Sequence, residues 1–168
     1  MSRLNLITGA LLGLNAALVG VVFEPTITRH FNLELATKEV ELPPVLNADG
    51  TIAKPKRSVI NDLDRAENEA RRVQYRKGSQ NLMYISLSMI AMGLISANHR
   101  QSRLPAIGGA ASFSLAAIII GVCPIVAGIC DMPIVAIFDP IGALAFAAGW
   151  ICVVVAILRN GPPEASPK

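Results

Sequence analysis

Four long apolar stretches dominate the chain, and the segments between them hold most of its charged residues. The apolar stretches cover approximately residues 4–23, 82–97 (with Ser79 as an alternative start), 104–130 and 140–158. A helix needs about 20 predominantly apolar residues to cross a bilayer. The pattern therefore predicts an all-α membrane protein, a four-transmembrane-helix bundle with a long extramembrane loop between helices 1 and 2. We expect the first stretch to be a retained helix rather than a cleaved signal peptide, because its apolar run is long enough to cross.

The predicted domains follow from these boundaries. Residues 1–23 are transmembrane helix 1, residues 24–78 the extracytoplasmic loop, residues 79–159 transmembrane helices 2–4, and residues 160–168 a short cytoplasmic tail.

The loop divides into two parts. Residues 32–55 alternate in polarity around a Pro43-Pro44 break, which fits a small hairpin or an extended chain. Residues 58–77 carry apolar side chains at helical spacing and predict an amphipathic helix, with Ser58 as its cap and Glu67 paired with Arg71. This helix either binds a partner or the membrane surface, or is a solvated lead into the second span.

Basic residues set the expected orientation. Four spans place both termini and the turn at 98–103 on one side, and that side carries Arg3, Arg100, Arg103 and Arg159, whereas the turn at 131–139 has no basic residue. Cytoplasmic segments are enriched in Lys and Arg. We therefore expect a multi-pass protein of the cell inner (cytoplasmic) membrane with both termini in the cytoplasm. The mitochondrial inner membrane is the alternative.

Composition narrows the candidate chemistry. Only 16% of the residues are charged and the net charge is +3, which excludes a basic nucleic-acid-binding surface. No span has a central ionised group of the kind that proton relays and ion pathways use. His30 and His99 are expected on opposite sides of the membrane and so cannot jointly ligate a haem. Cysteines 123 and 130 are about 10 Å apart along a helix, too far for a disulfide. We predict no catalytic residues, no metal and no cofactor.

Small residues form rows on the predicted spans and are the candidate packing sites. These candidates are Gly9, Gly13, Ala16 and Gly20 in the first span and Gly142, Ala145 and Gly149 in the fourth. Small residues let membrane helices approach closely. The rows serve either packing within one bundle or an interface between molecules. Asn15 is expected to form a hydrogen bond across helices, and Asp139 and Pro140 to cap the last helix.

The last span resembles a known family. The run DPIGALAFAAGW, from Asp139 to Trp150, resembles the pattern (T/D)PIGGxxFxAGW, and TGALLG, from Thr8 to Gly13, resembles the opening GALLGA. Both patterns are typical of domain-of-unknown-function family 423, the YgdD-like and transmembrane-protein-256-like small four-helix membrane proteins. The resemblance covers roughly residues 4–23 and 79–159 and implies a fold without a specific chemistry. The chain lacks the family's two usual histidines, and its first loop is much longer.

These observations favour a non-catalytic accessory or structural subunit of a larger membrane complex, for example a respiratory or other energy-converting one. The expected partners are the lipid bilayer and other membrane protein subunits. A small transporter or channel-like protein is the alternative, with a path along polar side chains such as Asn15, Ser86 and Ser88. A membrane enzyme is the third hypothesis, and a bound metal or pigment would favour it.

Overall fold

The computed structural model describes residues 2–47, 52–54, 56–98, 103–130, 132 and 137–159. Most of this part is helical. The helices are α1 (Ser2–Ala17), α2 (Glu24–Thr37), α3 (Asp62–Asn98), α4 (Arg103–Ala116), α5 (Cys123–Cys130) and α6 (Asp139–Arg159). The predicted tail at 160–168, most of the predicted turn at 98–103 and the predicted turn after Asn47 lie outside the described residues.

Within the described residues, four helical segments are long and apolar enough to cross a membrane. They are Arg3–Val22, Asp62–Ala97, Leu104–Cys130 and Asp139–Arg159. The prediction of four such helices is therefore confirmed, and the chain has the character of a membrane protein. The second segment starts much earlier than expected, because the helix that contains it extends far beyond its apolar part.

Helix α3 is one continuous helix of 37 residues. The predicted helix at 58–77 and the predicted second span are two parts of it. Ser58 does not cap this helix, because it lies in a strand that ends at Val59. Asn61 occupies the capping place: its Oδ1 accepts the backbone N–H of Leu63 at 3.1 Å.

The first span also continues past its expected end. A π-helical turn, Leu18–Val22, follows α1, and Phe23 donates its N–H to the Leu18 carbonyl at 3.0 Å. Helix α2 then begins at Glu24 with Pro25 in its first turn, where a missing N–H costs nothing. Residues 24–37 are therefore helical rather than part of a loop.

Between α2 and α3 the chain forms an antiparallel ribbon of two interrupted strands. Strand β1 (Val40–Leu42) pairs with β4 (Arg57–Val59), and β2 (Val45–Leu46) pairs with β3 (Ile52–Lys54). The sequence allowed either a small hairpin or an extended chain at residues 32–55, and the structure has a hairpin, whose paired strands lie between Val40 and Val59. The interruption coincides with Pro43 and Pro44, since proline lacks the N–H that a strand ladder needs.

Helix α3 is the central element of the bundle. Helix α1 packs along one side of it, α4 and α5 pack along another, and α6 packs mainly against α4. The buried apolar core consists of Ala16, Leu82, Ile85, Met89, Met92, Ala106, Phe113, Ala116, Ala117 and Val153. The α3 members recur at intervals of three and four residues, which is the spacing of one face of a helix.

Candidate functional site

The small residues of the first span all lie against α3. A Cβ atom at Gly9 would come 2.8 Å from Ile90 Cγ1, and one at Gly13 would come 3.1 Å from Ser86 Oγ. A Cβ at Gly20 would overlap Ser79 Oγ, and Ala16 is fully buried. Small side chains therefore set how closely α1 approaches α3.

The small residues of the last span face α4 and the π-helical turn, Ala117–Val122, that follows it. A Cβ at Gly149 would come 2.5 Å from the Phe113 ring, and one at Gly142 would overlap Ile120. Ala145 is partly buried against the same core. In both spans these residues contact other helices of the same chain, so their faces are already occupied.

Asn15 differs from the prediction. Its side chain is exposed, and its Nδ2 donates to the Leu11 carbonyl of its own helix at 2.9 Å. Within the described part of the chain Asn15 forms no hydrogen bond across helices, because its side chain is exposed and not directed at α3.

Asp139 also differs from the prediction. It is the first residue of α6 rather than the residue before it, with Pro140 second. Its Oδ2 accepts Lys77 Nζ at 2.5 Å, and its buried Oδ1 has no hydrogen-bond partner among the described residues. The carboxylate therefore ties α6 to α3 and does not cap the amides of its own helix.

A buried arginine, Arg71, lies at the end of the bundle, and its contacts were not predicted from the sequence. Arg71 Nε donates to the Gly128 carbonyl at 3.0 Å, and its Nη2 donates to the Ile129 carbonyl at 3.2 Å. These carbonyls belong to the last turn of α5, where they have no helical partner and where the helix dipole favours a cation. Arg71 also donates to Glu34 Oε1 at 2.7 Å and lies over the Phe31 ring at 5.1 Å. We call this group of Phe31, Glu34, Arg71, Gly128 and Ile129 the arginine clamp.

The arginine clamp joins three helices. Glu34 and Phe31 come from α2, Arg71 from α3 and the two carbonyls from α5. The hydrogen bond from Arg71 holds the pKa of Glu34 below its ordinary value, although burial opposes this shift. Gly128 permits the contact, since a Cβ there would come 2.8 Å from the Arg71 carbonyl. The expected partner of Arg71, Glu67, pairs instead with Lys38 at 3.5 Å.

Two further side chains of α3 bond to the two π-helical turns. Tyr75 donates its hydroxyl to the Val19 carbonyl at 2.5 Å in the first turn. Asn81 donates its Nδ2 to the Ile120 carbonyl at 2.8 Å in the second. In a regular helix the residue four positions after Ile120 would donate to that carbonyl, but this residue is Pro124, which has no N–H. Asn81 replaces the missing backbone donor.

One pattern in the sequence pointed to this arrangement. Residues 71, 75, 78 and 82 are spaced as one face of a helix. They are Arg71 of the arginine clamp, the hydroxyl donor Tyr75, Gly78 and the core residue Leu82. Gly78 brings α3 against the second π-helical turn, since a Cβ there would come 2.6 Å from the Gly121 carbonyl. An interior proline is a second signal, because it leaves a carbonyl that a neighbouring helix or a local π-helical adjustment can satisfy.

The described residues contain no group of three or more His, Cys, Asp or Glu side chains arranged to hold a metal ion. All three cysteines are free thiols. Among the polar side chains of the described bundle, Arg71, Tyr75 and Asn81 form hydrogen bonds across helices. The buried Ser86 and Ser88 donate to carbonyls of their own helix, and the buried Asn5 Nδ2 has no partner among the described residues.

Comparisons with protein-family models, with curated proteins and with solved structures found no match to this chain. The resemblance to family 423 therefore stays a prediction.

Proposed function

We propose that the chain is a non-catalytic accessory subunit of a larger membrane complex and that its β ribbon binds the partner subunit. In this proposal the four apolar helices cross the membrane, both termini are cytoplasmic, and α2, the ribbon and the first half of α3 project from the opposite face.

The ribbon is the observation that carries the proposal. Its side chains are exposed along both β1 and β4. The exposed side chains of the ribbon include apolar ones, since Val40 of β1 is 62% and Ile52 of β3 is 65% exposed. Val40 and Val59 lie directly opposite each other and so share one face. An isolated two-stranded hairpin is only marginally stable in water, and exposed apolar strands with open edges are surfaces that pair with another chain.

Rigid attachment supports the same proposal. The arginine clamp fixes α2 to α3 and α5. Further along α2, Lys38 pairs with Asp64 at 3.3 Å. A projecting segment held in this way keeps a fixed position relative to the bundle, as a docking surface requires.

Site-specific photo-crosslinking tests the partner surface. A photoreactive residue at Val40 or Val59 should crosslink one discrete protein in intact membranes, and the same residue at exposed Leu33 of α2 should not. The charge-introducing variant Val40→Lys should abolish co-purification of that protein in mild detergent, whereas Leu33→Lys should leave it unchanged. Equal crosslinking from all three positions, or retention of the partner by Val40→Lys, would contradict the proposal.

Reporter fusions test the topology separately. Fusions after residue 47 and after residue 159 should report opposite sides of the membrane. The same side for both would contradict the proposed orientation without bearing on the ribbon.

A further inference from the structure

A cleft lies where the first π-helical turn meets α3, and its volume is about 320 Å³. This volume falls within the range of about 300–1,000 Å³ that is usual for small-molecule sites. Gly20 is one of the residues that line the cleft. Because glycine has no side chain, the first π-helical turn lies directly against Ser79.

The lining of the cleft changes from charged to apolar along the helices. Glu24 and Arg76 lie at one end, Ser79 and Gln80 in the middle, and Met83 at the other end beside Val21. The first span is apolar up to Phe23, and α3 is apolar from Leu82. In the proposed insertion the charged end of the cleft therefore lies at the membrane surface, and the apolar end faces the acyl chains. The cleft therefore has the polarity gradient of a phospholipid headgroup and its attached chains.

A positively and a negatively charged side chain, Arg76 and Glu24, lie at the mouth of the cleft. Arg76 Nη2 and Glu24 Oε1 are 3.0 Å apart, and their side chains are 66% and 37% exposed. An exposed pair of this kind is weakly held and is free to exchange partners with a ligand. The exposed amide of Gln80 has no hydrogen-bond partner among the described residues, so it is free to bind ester or phosphate oxygens.

We propose that this cleft binds phosphatidylethanolamine, a zwitterionic phospholipid with a primary amine. Arg76 binds the phosphate, for which a guanidinium is well suited. Glu24 accepts hydrogen bonds from the ammonium group, and the acyl chain lies along Val21 and Met83. A quaternary ammonium has no N–H to donate to Glu24, and phosphatidylglycerol has the same phosphate but no ammonium to neutralise the carboxylate. The inference rests on the proposed membrane insertion but not on the proposed partner.

Native mass spectrometry of the full-length chain tests the proposal. The purified protein is titrated in detergent with phosphatidylethanolamine, phosphatidylcholine or phosphatidylglycerol of matched acyl chains. We expect phosphatidylethanolamine to bind roughly tenfold more tightly than either of the others, the size of one charge-assisted hydrogen bond. Glu24→Gln should abolish this preference, whereas Arg76→Gln should weaken the binding of all three lipids, because all three carry the phosphate. Arg72→Gln should keep the preference, because Arg72 pairs with Glu69 on its own helix.

Other outcomes overturn specific parts of the proposal. Preference for phosphatidylglycerol that depends on Arg76 alone would show an anionic-lipid site and refute the role of Glu24. Equal binding of all three lipids, or a preference that survives Glu24→Gln, would refute the cleft as the site. Carbonate extraction of the same cells separates the two proposals: release of the protein refutes membrane insertion, whereas a membrane-retained protein without lipid preference refutes only the lipid site.

Discussion

Replacing Asn81 by leucine should expose how the chain tolerates a proline within an apolar helix. The substitution keeps the branching and the number of side-chain heavy atoms but removes the donor that lies 2.8 Å from the Ile120 carbonyl. In a regular α-helix the backbone donor to this carbonyl would come from position 124, and Pro124 has no N–H.

The expected cost follows from the environment of that carbonyl. A buried acceptor without a donor costs about 1–3 kcal/mol, whereas hydrogen bonds between membrane helices contribute about 0.6 kcal/mol on average and about 1.7 kcal/mol at most. We therefore expect Asn81→Leu to lower the free energy of unfolding by about 1–2 kcal/mol. In a Pro124→Ala background residue 124 has an N–H for Ile120, and the same substitution should cost less than about 0.5 kcal/mol.

A double-mutant cycle in mild detergent measures this difference, with unfolding followed by the loss of helical circular dichroism. Asn15→Leu is the matched control, because Asn15 is exposed and bonds only within its own helix, so its substitution should change little in either background. If Asn81→Leu costs the same in both backgrounds, within the roughly 0.3–0.5 kcal/mol expected of independent sites, Asn81 does not compensate for the proline.

Three further predictions concern the contacts of α3. Arg71→Gln should lower the free energy of unfolding by about 3 kcal/mol, since it leaves two carbonyls and a carboxylate without their cation, whereas Arg72→Gln should cost less than about 1 kcal/mol in the same denaturation assay. The pKa of Glu34 lies below its ordinary value of 4.5, so its pairing stabilises the fold fully above that pH and is lost as the pH falls through the lowered pKa. The stability difference between the wild type and Glu34→Gln should therefore shrink on acidification, and a difference that grows would contradict this sign. Gly78→Ala should destabilise the fold by about 1–3 kcal/mol despite the better helix propensity of alanine, because the added Cβ would lie 2.6 Å from a backbone carbonyl; a stabilised variant would refute that close approach.

The positions of the apolar helices were predictable because a bilayer imposes a length on them. A continuous apolar run of that length predicts one helix, regardless of which other helices contact it. The same rule misplaced the start of α3, because the helix continues through 20 mostly polar residues before Leu82. It also missed α2, whose polar composition resembles a loop and whose only buried residue is Phe31.

The polar contacts were not predictable from composition, because they depend on which helices face each other. Asn15 was predicted to bond across helices because it lies deep in the first span, yet its side chain faces outward. Asn81 stands at the edge of the second span, and its role is apparent only when Pro124 is placed beside it. Arg71 had a suitable partner one helical turn away in Glu67, and only the tertiary fold brings it to Glu34 and the end of α5.

The unbroken length of α3 gives the molecule a mechanical property. At 1.5 Å per residue its 37 residues measure about 55 Å, well beyond the roughly 30 Å of a bilayer core. It contains no proline, and the two π-helical turns lie in its neighbours and not in α3 itself. A tilt or axial rotation of its apolar half is therefore transmitted along the helix to the ribbon end, so a torque applied at one end of α3 becomes a displacement at the other.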